Sequence, residues 1–139
     1  MKTLIVYAHP EPKSLNSSLK DLAVSTLEAA GHEVRVSDLY SMRWKAVVDA
    51  ADFGPDASSP LKVARDSGRA FDAGTLTPDV LREQEKLLWA DTIIFQFPLW
   101  WYGMPAILKA QGVGGPGVHL PLCLRGRRAQ RHQVRRAFR

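Results

Sequence analysis

Lys2-Thr3-Leu4-Ile5-Val6-Tyr7-Ala8-His9-Pro10-Glu11-Pro12-Lys13-Ser14-Leu15-Asn16 is the stretch on which the fold turns. From Lys2 to Ala8 it is a short, nearly continuous apolar run with β-branched residues, the pattern of a strand covered on both faces. Pro10 and Pro12 then stop both strand and helix. Beyond them Leu15, Leu19, Leu22, Ala23 and Leu27 recur at helical spacing, with Ser14 or Asn16 available as N-cap and Gly31 as the stop. Strand, loop and helix follow in that order.

The same order recurs downstream. Glu33 to Leu39 alternates polar and apolar residues and predicts a second, more exposed strand. Tyr40 to Thr77 carries Pro, Gly, Asp and Ser between short apolar patches, which predicts an extended excursion with one or two short helical turns. Thr77-Pro78-Asp79 opens a helix whose stripe is Val80, Leu81, Leu87 and Leu88, with Gln84 between them. Thr92 to Phe97 is a third buried strand, and Ala106-Ile107-Leu108-Lys109 begins another helix. Strands alternating with amphipathic helices imply an α/β fold with a parallel sheet and right-handed crossovers.

The chain has 139 residues, 45% hydrophobic and 24% charged. No apolar run approaches the ~20 residues of a membrane-spanning helix, so membrane insertion is not expected. Met1 runs straight into the first strand without a signal-peptide layout, which predicts a cytoplasmic protein. A single cysteine, Cys123, excludes an internal disulfide framework and a Cys-rich zinc site. No metal site, P-loop or nucleophile triad is legible. The net charge of +5 is unevenly placed: residues 110–139 hold seven arginines and no acid, whereas residues 1–109 hold twelve basic and fourteen acidic residues. The basicity belongs to the tail, which lacks aromatic interleaving apart from Phe138, so a nucleic-acid partner is not expected.

In an open parallel sheet, ligands bind at the carboxyl ends of strands where the winding reverses. Two loops converge there if the first and third strands are neighbours. One runs from His9 to Ser18 and leads into a helix whose free N–H groups at Leu15 to Ser18 can hold a phosphate, with Ser14, Asn16, Ser17 and Ser18 as neutral donors. The other places Trp100, Trp101 and Tyr102 in a row between Pro98 and Gly103, where a turn must expose at least one ring. Such a loop suits a planar cofactor or an aromatic oligomer contact. His9 reads as a phosphate-ligand or loop-anchoring residue. Asp38, at the end of the second strand, is a candidate ribose-binding acid, but the Gly-x-Gly-x-x-Gly turn of a dinucleotide-binding Rossmann unit is absent.

The segment from Leu4 to Asn16, the strand end Val36-Ser37-Asp38-Leu39-Tyr40, and Phe97-Pro98-Leu99-Trp100-Trp101-Tyr102-Gly103-Met104-Pro105-Ala106-Ile107-Leu108-Lys109 together resemble the flavodoxin-like NAD(P)H:quinone oxidoreductases, the DT-diaphorase-like family, over about residues 1–109. The resemblance implies a flavodoxin-like doubly wound parallel sheet with strands in the order 2-1-3 and the family's strands 4 and 5 missing. It implies flavin phosphates over His9, Ser14, Leu15, Asn16 and Ser18, and an isoalloxazine ring on Pro98, Leu99, Trp100, Trp101 and Tyr102, with Trp101 and Tyr102 also walling the substrate site. The implied cofactor is FAD, with FMN as the other choice, and NAD(P)H is the implied electron donor. The implied reaction is a two-electron ping-pong transfer in which NAD(P)H reduces the flavin at N5 and a quinone then takes the electrons in the same pocket. The family's catalytic Tyr and His lie downstream of the matched region, so no catalytic residue is assigned. A homodimer is implied as well. A flavodoxin-like accessory subunit of a potassium-efflux system is the alternative reading of the same motifs.

Residues 110–139 do not continue the family pattern. Read one nucleotide later, codons allowed for Val113 to Gly126 can spell Trp-Val-Asp-Arg-Val-Phe-Thr-Tyr-Arg-Phe-Ala-Tyr-Gly, the family's next segment. The expectation is therefore a first part of a flavodoxin-like domain over 1–109, followed by an out-of-frame, poorly ordered Arg/Gly-rich tail over 110–139. Such a chain is expected to be poorly stable, to bind flavin weakly if at all, and to turn over little quinone.

Overall fold

The computed structural model describes residues 1–109. Strand β1 (Lys2–Tyr7) lies at the centre of a three-stranded parallel sheet, flanked by β2 (Glu33–Asp38) and β3 (Thr92–Gln96) in the order β2-β1-β3. That is the expected order. β1 is buried along its length because it is paired on both sides and covered on both faces, which is why its sequence reads as an apolar run. Its register sets Tyr7 between Asp38 on one side and Gln96 on the other.

Alternation along β1 divides the two faces. Leu4, Val6 and Ala8 enter the main core with Leu39, Trp44, Phe53, Leu76, Val80 and Leu87, beneath helices α2 (Val63–Ala73) and α3 (Pro78–Trp89). The intervening Tyr7 faces helix α1 (Leu15–Ala29), whose Lys20 ammonium lies 5.2 Å from the Tyr7 ring centroid. Leu15, Leu19 and Leu22, expected to form the sheet-packing stripe of α1, are instead exposed, and Ser17 is the buried residue of the helix. α1 packs beside β2, and Ala23 and Leu27 are the half-buried members of the stripe.

The excursion after β2 holds more structure than its sequence predicts. It contains a one-turn 3-10 helix (Ala50–Phe53) and the eleven-residue α2. Hydrophobic spacing misses α2 because its buried face is Asp66, Ser67 and Ala70. Asp66, fully buried, accepts hydrogen bonds from the Ser58 hydroxyl, the Lys62 amide at 2.8 Å and the Arg69 guanidinium at 3.0 Å, and Arg69 also reaches the Asp56 carbonyl. A polar anchor replaces an apolar stripe. Pro78 sits in the first turn of α3 as the sequence predicts, and the short α4 spans Ala106–Lys109.

Among the described residues β3 pairs only with β1. Its edge, Thr92-Ile93-Ile94-Phe95-Gln96, carries no charge, whereas the opposite edge strand β2 carries Glu33, Arg35 and Asp38. β3 has the chemistry of an interior strand. No described helix is long and apolar enough to cross a membrane. The expected tail over 110–139, with its expected disorder, lies outside the described residues.

Candidate flavin site

The carboxyl ends of β1 and β3 lie side by side, joined by the Ala8 amide donating to the Gln96 carbonyl at 3.0 Å. The loops that leave these two ends therefore start together. Ser14 caps α1: its hydroxyl accepts from the Ser17 amide at 3.2 Å and lies 3.5 Å from the Tyr7 hydroxyl. Asn16, the alternative cap, sits inside the first turn.

Capping consumes part of the expected phosphate cradle. Of the N–H groups from Leu15 to Ser18, that of Ser17 goes to the Ser14 hydroxyl and that of Ser18 to the Ser14 carbonyl at 3.1 Å. The Ser18 hydroxyl also turns back, donating to the Ser14 carbonyl at 3.4 Å. The amides of Leu15 and Asn16 have no acceptor among the described residues, so the cradle is narrower than the sequence predicts. No acidic residue sits in the first turn to oppose an anion there.

Asn16 gains a partner that sequence reasoning missed. Gln96 Nε2 donates to Asn16 Oδ1 at 2.7 Å, which turns the Asn16 Nδ2 protons away from the sheet as free donors. The signal was a glutamine ending an otherwise apolar strand. His9 accepts the Glu11 amide at Nδ1, 3.0 Å away, leaving Nε2 as the free edge of the ring.

The second loop turns sharply. Trp100 and Gly103 exchange backbone hydrogen bonds of 3.0 and 2.9 Å, and Trp101 and Tyr102 between them have φ of 47° and 59°. Two consecutive left-handed residues closed by such a bridge form a type I′ turn, a geometry usually filled by Asn-Gly. Here it displays two aromatic rings, Trp101 97% and Tyr102 98% exposed. The amides of both residues lack an acceptor among the described residues. Leu99 is exposed beside them and Pro98 is half-buried. Trp100 turns back, its ring centroid 6.0 Å from that of His9 at an interplanar angle of 57°.

These residues fit a flavin phosphate at one end and a planar heterocycle at the other. The first loop offers free amides, a cap hydroxyl, the Asn16 amide and His9. The second offers exposed rings and two free backbone donors. Asp38 lies on the side of β1 away from Gln96, beside the first loop but not the aromatic one, and its Oδ1 accepts the Ser41 amide at 3.0 Å as the cap of the turn after β2. An open cleft of about 450 Å³ between that turn and the first loop is lined by Tyr7, His9, Ser17, Lys20, Asp38 and Tyr40. No group of three or more His, Cys, Asp or Glu is placed to hold a metal ion among the described residues.

A family model described as flavodoxin-like fold matches residues 1–110. The chain belongs to the flavodoxin-like family. Relatives of this flavodoxin-like chain include the ribosyldihydronicotinamide dehydrogenase-like protein traD of Penicillium crustosum, 55% identical over 111 residues that make up 78% of this chain and 41% of the relative. The NAD(P)H dehydrogenase [quinone] 1 of Rattus norvegicus is 44% identical over 110 residues, 78% of this chain and 40% of the relative. Among solved structures, a Klebsiella pneumoniae protein assigned as a quinone reductase superposes with a TM-score of 0.75 at 59% identity, over 78% of this chain and 42% of the other. The NAD(P)H:quinone oxidoreductase of Methanothermobacter marburgensis superposes with a TM-score of 0.61 at 30% identity, over 80% of this chain and 51% of the other. The chain thus spans less than half the length of the curated relatives it matches.

Proposed function

We propose that residues 1–109 form the flavin-holding part of an NAD(P)H:quinone oxidoreductase. The observation that carries this reading is the convergence of two loops at the ends of β1 and β3, one with anion-binding donors and one with exposed aromatic rings. A bound flavin, FAD or FMN, would supply the capacity to accept a hydride from NAD(P)H and to deliver two electrons to a quinone.

The chain's own residues bind and orient. The amides of Leu15 and Asn16, the Ser14 hydroxyl and His9 hold the phosphate end, where the N-terminus of α1 favours negative charge. Pro98, Leu99 and Trp101 wall the planar ring, and the Trp101 and Tyr102 amides offer donors to its polar edge. Trp101 and Tyr102 present apolar faces on which a nicotinamide or quinone can stack while water is kept off the reacting face. The flavin contacts named here all lie within residues 1–109, and a second copy of the chain, as the resemblance implies, would add to the walls.

Titration of the purified chain with FAD and FMN tests the proposal. Quenching of flavin fluorescence that is lost on Trp101→Ala is the expected result. Flavin emission unchanged by a large excess of protein overturns it. NAD(P)H-dependent reduction of a soluble quinone by the flavin-loaded chain then tests the reaction itself.

A further inference from the structure

Trp100 and His9 are 91 positions apart in sequence, yet their rings are in contact at 6.0 Å and 57°. The three consecutive aromatics of the second loop do not share one task. Trp101 and Tyr102 project almost fully into solvent, while Trp100, 42% exposed, folds back across the gap between the loops. Its backbone is fixed at the base of the type I′ turn by both bonds to Gly103.

The other partner is equally constrained. His9 Nδ1 lies 3.0 Å from the Glu11 amide and 3.2 Å from the Glu11 carbonyl. The neutral ring can accept from the amide at Nδ1, and the cationic ring can donate from Nδ1 to the carbonyl. In both states Nε2 carries the outward proton. Rotation about the His9 side chain is what remains to be fixed, and the Trp100 indole is in tilted contact with the ring.

We infer that Trp100 is a positioning residue for His9 rather than part of the wall that receives the planar ring. The indole holds the imidazole so that Nδ1 stays with Glu11 and Nε2–H stays available to an anionic phosphate group on the α1 cradle. The loop that displays the ring platform thereby also sets the phosphate loop.

This inference rests on the flavin reading, and FMN and riboflavin, which differ only by the phosphate, separate it from that reading. Trp100→Ala is expected to weaken FMN binding about fivefold, a tilted-pair contribution, and to leave riboflavin binding unchanged. His9→Ala should lose a similar factor for FMN alone, and the double variant should lose no more than the larger single loss, since both changes remove one coupled unit. Trp100→Phe should restore most of the FMN affinity. Equal losses for FMN and riboflavin, or additive losses in the double variant, overturn the inference. Should the wild-type chain bind neither flavin, the flavin reading fails, and NMR of the unliganded protein still decides the point. A His9 ring-proton resonance displaced by the indole ring current, and released in Trp100→Ala, supports the positioning role. A His9 resonance identical in the two proteins overturns it.

Discussion

Gln96 Nε2 donates to Asn16 Oδ1 at 2.7 Å, tying the last residue of β3 to the first turn of α1 across 80 positions of sequence. The bond does two things at once. It joins the strand that launches the aromatic loop to the helix that forms the phosphate cradle, and it fixes which end of the Asn16 amide faces outward. Gln96→Leu leaves the Asn16 carbonyl oxygen without its donor and lets the amide turn over. Stability is expected to fall by about 1 kcal/mol, the usual worth of such a bond, measured by urea denaturation. FMN affinity should fall with it, whereas in Gln96→Glu the Asn16 amide turns over and donates to the carboxylate, so stability is retained while FMN affinity still falls because the amide N–H no longer faces outward. Unchanged FMN affinity in both variants would detach Asn16 from the site.

The aromatic turn is held against local preference. Trp101 and Tyr102 adopt φ of 47° and 59°, where a side chain with a Cβ costs roughly 1–2 kcal/mol per residue. Replacing the pair by Asn-Gly, the sequence that a type I′ turn favours, is expected to raise stability by about 1–2 kcal/mol and to abolish flavin quenching. Thermal denaturation read beside the FAD titration checks both halves. A loss of stability would mean that the two rings pack against something in the folded chain and are not simply displayed.

Much of this arrangement is legible in the sequence, and the parts that are not have physical causes. β1 reads correctly because burial on both faces writes itself as an apolar run, and β3 is a strand where the same kind of run predicts one, although its residues are half-buried or exposed rather than buried. Ser14, Pro78 and the onset of α4 read correctly because caps and breakers act locally. α2 was hidden because its inward face is Asp66 and Ser67, satisfied by partners eight and fewer residues away that no periodicity registers. The convergence of His9 with Trp100 and of Asn16 with Gln96 was hidden for a different reason: it depends on which strands are neighbours, and only the order β2-β1-β3 brings those residues together. Among the candidates, the cradle was overdrawn at Ser17 and Ser18, whose amides the cap residue already uses.

Ser14 combines a structural and a binding task, and two substitutions separate them. Ser14→Ala removes the acceptor of the Ser17 amide, a loss of about 1 kcal/mol for an N-cap. Ser14→Asp keeps a capping oxygen and adds a favourable charge at the start of α1, so stability is expected to equal or exceed wild type. Yet that same carboxylate stands where the flavin phosphate is proposed to sit. FMN binding should therefore be weaker in Ser14→Asp than in Ser14→Ala, while riboflavin binding follows the order of stability. Urea denaturation and the two flavin titrations give the four numbers needed, and FMN binding that tracks stability in both variants would remove Ser14 from the phosphate site.

Asp66 sets how the fold responds to acid. The Ser58 hydroxyl and the Lys62 amide hold its carboxyl well below the usual carboxylate range, with Arg69 adding to them and burial opposing them. Because the folded pKa lies below the unfolded one, near 3.9, the ionised group stabilises the fold above about pH 4, and that stabilisation is lost progressively as the pH falls below it. The wild-type urea midpoint is expected to drop between pH 5 and about pH 2.5. Asp66→Asn removes the charge at every pH, so its midpoint should lie below wild type at pH 6 and the gap should narrow as the medium is acidified. The affected region is α2 and the loop from Asp56 to Lys62, where Ser58, Lys62 and Arg69 lose their common partner. Amide hydrogen exchange should therefore rise there first. A gap between the two proteins that stays constant from pH 6 to about pH 2.5 would mean that folding does not lower the pKa of Asp66.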